Sequence, residues 1–415
     1  MARAHKDFVE ACADAVKDSA IPLPFRYWSA ISAVSGALGR RCWYDAGAFK
    51  IYPNMFVLLV AGPGRGKSVS FSLPFGQVFK ALTTPIGTTP QSDEFNPMLF
   101  SYGLEDRPLY LVEDRITPEK LAVDMARVSR TDLRLTGPTT GTFWDSSLTM
   151  ATSEFGTFMN RNDVYLQMFM TDMWDSKDQF SYRTKTAGEY MIKGPCLNWI
   201  ACATPDQLVD NLPENARSQG LLSRMFIVYY DGEKLPADIW YGKASTNEVD
   251  NLRADFAEIA QMHGPFTLED KLKDTARDDV RAGLQPEPSD PNLGEYSQRR
   301  PSHLFKIAMA VSASRSDKRI ITEADWRDAR WLMSEAEAQM PKALERFGVG
   351  KAGKIVSELK VHLADLKLHK KVITTNKLRQ EILRRVSSPV EVEATVQSME
   401  RSGLIRIDGK QVFLQ

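Results

Sequence analysis

The sequence predicts an α/β fold built on a parallel sheet, and three observations carry that prediction. Residues 55–62 read MFVLLVAG, an apolar run suited to a strand covered on both faces. That run passes directly into a glycine-rich turn, AGPGRGKS at Ala61–Ser68, the signature of a phosphate-binding loop between a strand and a helix. Four more strand patterns follow, at Leu109–Glu113, Leu148–Thr152, Leu197–Ala203 and Met225–Tyr230, with helical patterns between most of them.

The flanking segments read differently. Residues 5–41 hold two helical patterns, the second being PFRYWSAISAVSGALGRR, introduced by Pro22 and Pro24. The stretch CWYDAGAFKIYP predicts a short hairpin turning near Gly47. Beyond Asp231 the strand signal fades, and residues 247–283 and 299–346 read as amphipathic helices broken by the loop QPEPSDPNLG, a helical lid. Gly348-Val-Gly350 reads as a hinge. Helices over 352–368, 375–386 and 389–402 then precede a hairpin turning at Asp408-Gly409, which together predict a winged helix. The expected division is a helical segment at 1–45, a P-loop ATPase core at 46–235, the lid at 236–347 and the winged helix at 348–415.

At 415 residues the chain can bury a large core in two or three domains. Lys plus Arg and Asp plus Glu both number 53, so no global field favours nucleic acid, and any such contact must come from local loops. No apolar run approaches the roughly 18 residues of a membrane span, and MARAHKDFVEACADAV is too polar for a secretory signal. Cys12, Cys42, Cys196 and Cys202 show no CxxC spacing, so free thiols in a reducing cytoplasm are expected, without zinc.

In the loop, Gly62, Gly64 and Gly66 allow the tight turn that lets backbone N–H groups surround phosphates. Ala61, Gly62, Pro63, Gly64, Arg65, Gly66, Lys67, Ser68 and Val69 form the expected ATP contact. Lys67 supplies charge to the β- and γ-phosphates, Ser68 a hydroxyl to Mg²⁺, and the helix that begins here its positive end. In SLTMATSEF, Glu154 follows a strand and can polarise the attacking water; Glu113 or Asp114, after the second strand, could assist.

The order of these elements resembles an AAA+ ATPase, and more narrowly the motor of minichromosome-maintenance helicases and of related phage and plasmid replicative ATPases. The resemblance covers roughly residues 50–345. Ser153-Glu154-Phe155 stands where the family has Asp-Glu-Phe, so Ser153 could reach Mg²⁺ only through its hydroxyl or a water. LNWIACATP at 197–205 is similar to the sensor-1 strand and gives Thr204 that role in place of the usual Asn. LSRMFIVY at 222–229 resembles the family's Leu-Ser-Arg stretch, which implies that Arg224, with Arg217 as alternate, is a finger reaching a neighbour's γ-phosphate. SQRRPSHLFKIAMAVSA is similar to the sensor-2 helix, which implies Arg300, with Arg299 next. The plainer alternatives are a surface ion pair for Arg224 and a solvated helix start for Arg300.

SKDQFSYRTKTAGEYMIKGP predicts a hairpin around Ala187-Gly188, the position where the resembled helicases project one into a ring pore. Arg183, Lys185 and Lys193 would hold phosphates of single-stranded DNA, with Tyr182 and Tyr190 for stacking. The last helix carries Glu391, Glu393 and Glu400, so a protein contact suits the winged helix better than DNA reading. The resemblance implies a hexameric ring that hydrolyses ATP and moves on DNA in replication of a phage or mobile element, alongside primase, polymerase or other replisome proteins. The alternative is an ATP-switched loader or adaptor that unwinds nothing itself. A RecA-like fold is the runner-up architecture.

Overall fold

The chain opens with two helices, α1 (Phe8–Asp14) and α2 (Leu23–Leu38). The Asp7 carboxylate caps α1 by accepting from the N–H groups of Val9 and Glu10, and Gly39, at φ +53°, ends α2. β1 (Cys42–Asp45) and β2 (Lys50–Ile51) form the hairpin expected near Gly47, and β3 (Phe56–Ala61) follows with every residue buried. Beyond the glycine-rich turn a regular helix is expected. The chain instead winds as a 3-10 turn over Ser68–Phe71, a π stretch over Ser72–Val78 and a second 3-10 turn over Phe79–Leu82. Pro74 lies inside this stretch; its missing N–H and crowding ring break an ordinary helical ladder.

Next come α3 (Met98–Ser101), β4 (Leu111–Val112), α4 (Pro118–Val128), β5 (Arg130–Thr131), β6 (Trp144–Thr152) and α5 (Val164–Asp175). β7 (Gln179–Thr184) and β8 (Gly188–Lys193) make the second expected hairpin, before β9 (Pro195–Ala203), α6 (Pro205–Asn211) and β10 (Met225–Tyr230). Five strands build one parallel sheet in the order β10-β3-β9-β6-β4, and β5 runs antiparallel beside the start of β6. Counting those five parallel strands along the chain, the spatial order is fifth, first, fourth, third, second.

Beyond Asp231 the structure departs from an all-helical expectation. Between α7 (Thr246–Gln261) and α8 (Leu272–Arg281) lies β11 (Gly264–Leu268). After α9 (Gly294–Ser297) and α10 (Arg300–Arg315), a two-residue β12 (Ile320–Ile321) precedes α11 (Glu323–Leu344). β11 pairs in parallel with β1 on one side and β12 on the other, so a small sheet joins the N-terminal segment to the segment after 236. β11 alternates properly, with Phe266 and Leu268 buried and Pro265 and Thr267 exposed. Five residues between long helical patterns are too few for periodicity to register, and pairing with a distant strand decides their conformation.

This computed structural model describes residues 3–113, 115–137, 141–160, 163–184, 188–212, 220–233, 243–288, 290, 293–345, 359, 373–384, 389–401, 404–409 and 411–414. They fall in two units, Met1–Leu344 and Glu345–Gln415. The second unit has β13 (Ile373–Thr374), α12 (Thr375–Leu383), α13 (Pro389–Arg401), β14 (Ile405–Asp408) and β15 (Gln411–Leu414). Its antiparallel sheet runs β13-β15-β14 and turns at Gly409 (φ +60°), over a core that includes Leu378, Ile382, Val396 and Met399. The helix expected over 352–368 lies, Leu359 apart, outside the described residues. Among the described residues no helix is long and apolar enough to cross a membrane.

In the first unit α2 is buried from Trp28 to Leu38 against one face of the large sheet. Asn198 on β9 ties the two together, donating to the Ser32 carbonyl at 2.9 Å and accepting from the Met55 N–H at 3.1 Å. On the opposite face Trp199 packs among Phe56, Phe155 and Phe158 and donates its indole N–H to Thr152 Oγ1 at 3.0 Å. The helix lies so close that a Cβ on Gly36 would stand 2.4 Å from Thr149 Oγ1 and 3.0 Å from the Phe79 ring. Gly36→Ala should therefore cost about 1–3 kcal/mol by overpacking, despite the roughly 1 kcal/mol that alanine gains in an ordinary helix. Urea unfolding checks this, and adding Thr149→Ala should recover part of the loss.

Candidate functional site

Strand register brings three carboxyl ends level. Val60 pairs with Ala203, and Thr152 with Ala201, so Gly62, Thr204 and Glu154 leave the neighbouring strands β3, β9 and β6 at one edge. With about 5 Å between strands, the backbone at Glu154 lies roughly 10 Å from the loop. This crevice outside the carboxyl ends is where open α/β sheets bind ligands.

The loop is packed on one flank and open on the other. Gly64 and Gly66 take φ of +69° and +70°. A Cβ on Gly66 would stand 2.5 Å from the Ala20 carbonyl oxygen, whereas one on Gly62 or Gly64 would meet no atom of the described residues within 4 Å. Ser29 of α2 donates to Ser70 Oγ at 3.0 Å, and that hydroxyl donates to the Lys67 carbonyl at 2.6 Å, pinning the loop's exit. Lys67 folds its ammonium back onto the carbonyls of Ala61 and Gly62, at 2.9 and 2.8 Å, and burial lowers its pKa. Arg65 Nη1 is buried without a hydrogen-bond partner among the described residues. An open cradle, a lysine resting on neutral carbonyls and an orphaned guanidinium nitrogen all fit a polyphosphate, which would give both cations a stronger, charged acceptor.

Pro63, Ser68, Val69, Ser153 and Glu154 are exposed at this edge. Mg²⁺ is ordinarily held by one or two carboxylates plus phosphate oxygens, and Ser68, Ser153 and Glu154 are the side chains here that would hold it. Thr204 caps α6 in a reciprocal box: its hydroxyl accepts from the Gln207 N–H at 3.2 Å, and Gln207 Oε1 accepts from the Thr204 N–H at 3.0 Å. Glu113, at the end of β4, is ion-paired with Lys80, and Asp114 lies outside the described residues. A cavity of about 300 Å³ opens beside the carboxyl end of β10, where Tyr230 pairs with Ala61; Pro24, Trp28, Tyr229, Tyr230 and Lys342 line it.

Arg224 stands at the other end of the sheet. It immediately precedes Met225, which pairs with Phe56 at the amino end of β3. Six residues of strand separate it from the level of the loop, about 20 Å at 3.3 Å per residue. It therefore does not reach the Ala61–Ser68 loop of its own chain. Its guanidinium, 9% exposed, grips Asp175 at the end of α5, with Nε and Nη2 each 3.1 Å from Oδ1 and Nη2 2.9 Å from Oδ2. Arg299 lies alongside, donating to Ser223 Oγ at 3.1 Å and standing 4.0 Å from Asp175. Both guanidinium carbons lie 5.6 Å from the centroid of the Trp174 ring. Arg300 is buried within the segment after 236, its nitrogens engaged by Glu337 and the carbonyls of Gly283 and Pro286. Arg217 lies outside the described residues.

The β7–β8 hairpin separates groups that the sequence suggests act together. Tyr182 pairs directly with Tyr190, and Phe180 with Ile192, so these four share the face that packs on Phe169 of α5. Arg183, the next residue, points to the opposite face and is paired with Glu189 at 2.7 Å. Lys193 lies over the Trp144 ring at 4.1 Å, and Lys185 falls outside the described residues. Asp175 and Trp174 escaped the sequence reading because nothing in a helical pattern marks a carboxylate 49 residues from its arginine.

One buried group near Arg224 gives a measurable signature. His303 on α10 packs among Phe226, Tyr296 and Trp174, and its Nε2–H donates to the Ser223 carbonyl at 2.9 Å. Burial pushes its pKa from 6.5 down to about 3. Between those values the unfolded chain binds the proton and the folded chain does not. Stability is therefore complete above the unfolded value and falls as pH drops toward the folded one, by up to about 1.4 kcal/mol per pH unit. His303→Gln, which keeps a donor for Ser223, should flatten this acid limb in pH-dependent urea unfolding. No protein-family model matches the chain, and no curated protein matches it.

Proposed function

We propose that this chain is an ATP hydrolase that assembles into a ring, of six copies by the resemblance, and acts as a DNA helicase or translocase in replication of a phage or mobile element. The observation that carries the reading is the level edge at which the Lys67 loop, Thr204 and Glu154 leave three adjacent parallel strands. Because β9 is inserted between β3 and β6, Thr204 sits between the phosphate loop and the acid, able to report on both. ATP with Mg²⁺ supplies a phosphoryl group whose transfer to water needs charge neutralised and the nucleophile aligned. Lys67 and Arg65 would neutralise phosphate charge, Ser68 with Ser153 would hold the metal's shell, and Glu154 would orient water. The cavity beside Tyr230 has the size and aromatic lining for a base.

The distance of Arg224 from its own loop supports a site shared between copies, with Arg224 completing a neighbour's. The exposed face of the β7–β8 hairpin, carrying Arg183 beside Glu189, supports contact with DNA phosphates, while Tyr182 on the other face packs on Phe169. The second reading, an ATP-switched loader, is favoured by Ser153 in place of an aspartate.

Steady-state hydrolysis with and without single-stranded DNA tests the proposal. Several-fold stimulation, with a loss of about a hundredfold or more in Lys67→Ala, is expected; a slow rate indifferent to DNA selects the loader. Mixing Arg224→Ala with Glu154→Gln subunits should restore part of the turnover lost by each, and no restoration counts against a shared site. Arg183→Ala with Lys185→Ala should weaken single-strand binding and reduce its log–log salt slope by about 1.4, two contacts at 0.7 each.

A further inference from the structure

We infer that Asp175 is a positioning residue, an intramolecular latch that holds Arg224 within its own chain until the phosphate of a neighbouring copy takes the carboxylate's place. The inference rests on the shared-site reading above. Asp175 meets Arg224 through the forked geometry by which a guanidinium also takes phosphate, with contacts of 2.9 and 3.1 Å. The carboxylate is not there for the helix. It occupies the last turn of α5, where the helix dipole disfavours an anion, and Ser176 after it takes a left-handed φ of +51°.

The pair is placed for exchange. The Asp175 side chain is 30% exposed and Arg299 33% exposed, so solvent and an incoming anion reach them, while Arg224 is held from behind. Two guanidinium groups face one carboxylate. Arg299 stands 4.0 Å from Asp175, with Glu295 also near it, so the two guanidinium groups outnumber the carboxylate they face most closely. A phosphoryl group bearing two or more negative charges would engage both. Trp174 lies beneath both arginines and would keep them together after the carboxylate is displaced. Arg224 Nη1 also donates to the Gly220 carbonyl at 2.8 Å, a neutral contact that need not break when the other edge changes partner.

The test uses full-length subunits mixed in pairs. Lys67→Ala subunits lack their own nucleotide site but still offer Arg224; Arg224→Ala subunits bind ATP but lack the arginine. Their mixture hydrolyses ATP only at shared sites. Adding Asp175→Asn to the Lys67→Ala partner should lower the concentration of that partner needed for half-maximal turnover by roughly fivefold or more. Asp175→Glu should leave it near the parent value, and thermal melting confirms that each variant folds. An Asn variant that folds yet needs equal or higher concentration overturns the latch, as does a Glu variant that behaves like Asn. If the parent pair fails to complement at all, the shared site itself is wrong and the latch falls with it.

Discussion

The register of β9 between β3 and β6 is the constraint on which the rest depends. Held by Val60 opposite Ala203 and Thr152 opposite Ala201, it sets the loop, Thr204 and Glu154 at one height. A slip of one residue would turn Asn198 and Trp199 to the wrong faces. Asn198 would lose its ties to Ser32 and Met55, and Trp199 its aromatic cage and its bond to Thr152. The polar anchor on one face and the large apolar anchor on the other therefore fix the geometry of the candidate site from beneath it.

The N-terminal segment is part of the same mechanical unit. α2 covers the sheet, Gly36 permits its close approach, and Ser29 reaches the exit of the glycine-rich loop through Ser70. The preceding turn contributes the Ala20 carbonyl that lies against Gly66. β1 then carries this segment into a parallel pair with β11. The wall of the loop and the small sheet beyond residue 236 are thus linked through one short stretch of chain.

The two ends of the large sheet have opposite characters. The carboxyl edge is open and holds exposed polar groups around the loop. The amino foot of β10 is filled by Arg224, Asp175, Trp174, Arg299, His303 and Lys306. Lys306 donates to the Tyr52 and Asn54 carbonyls at 2.8 and 2.7 Å, yet burial pulls its pKa down to about 7. Burying this many cations is costly unless each has acceptors or an aromatic face, and here Trp174 and Asp175 serve several at once. Only Asp175 and Arg299 of this cluster are partly exposed, and it lies at the end of the sheet away from the Ala61–Ser68 loop.

By itself the sequence determined the parallel-sheet class, the five principal strands, the three hairpins and the loop from Ala61 to Ser68. Apolar runs, turn residues and glycine spacing are local signals, and local chemistry suffices for them. Tertiary structure alone decided β11 and β12, whose few residues become strands by pairing with β1, and the irregular winding after the loop. It alone also decided what each predicted arginine meets. Arg224 finds Asp175, and Arg300 finds Glu337, across separations that no periodicity encodes. The hairpin shows the same division at its sharpest. Its residue types were legible, but only strand register puts Tyr182 beside Tyr190 and turns Arg183 away from both, because side chains alternate faces and the core claims one of them.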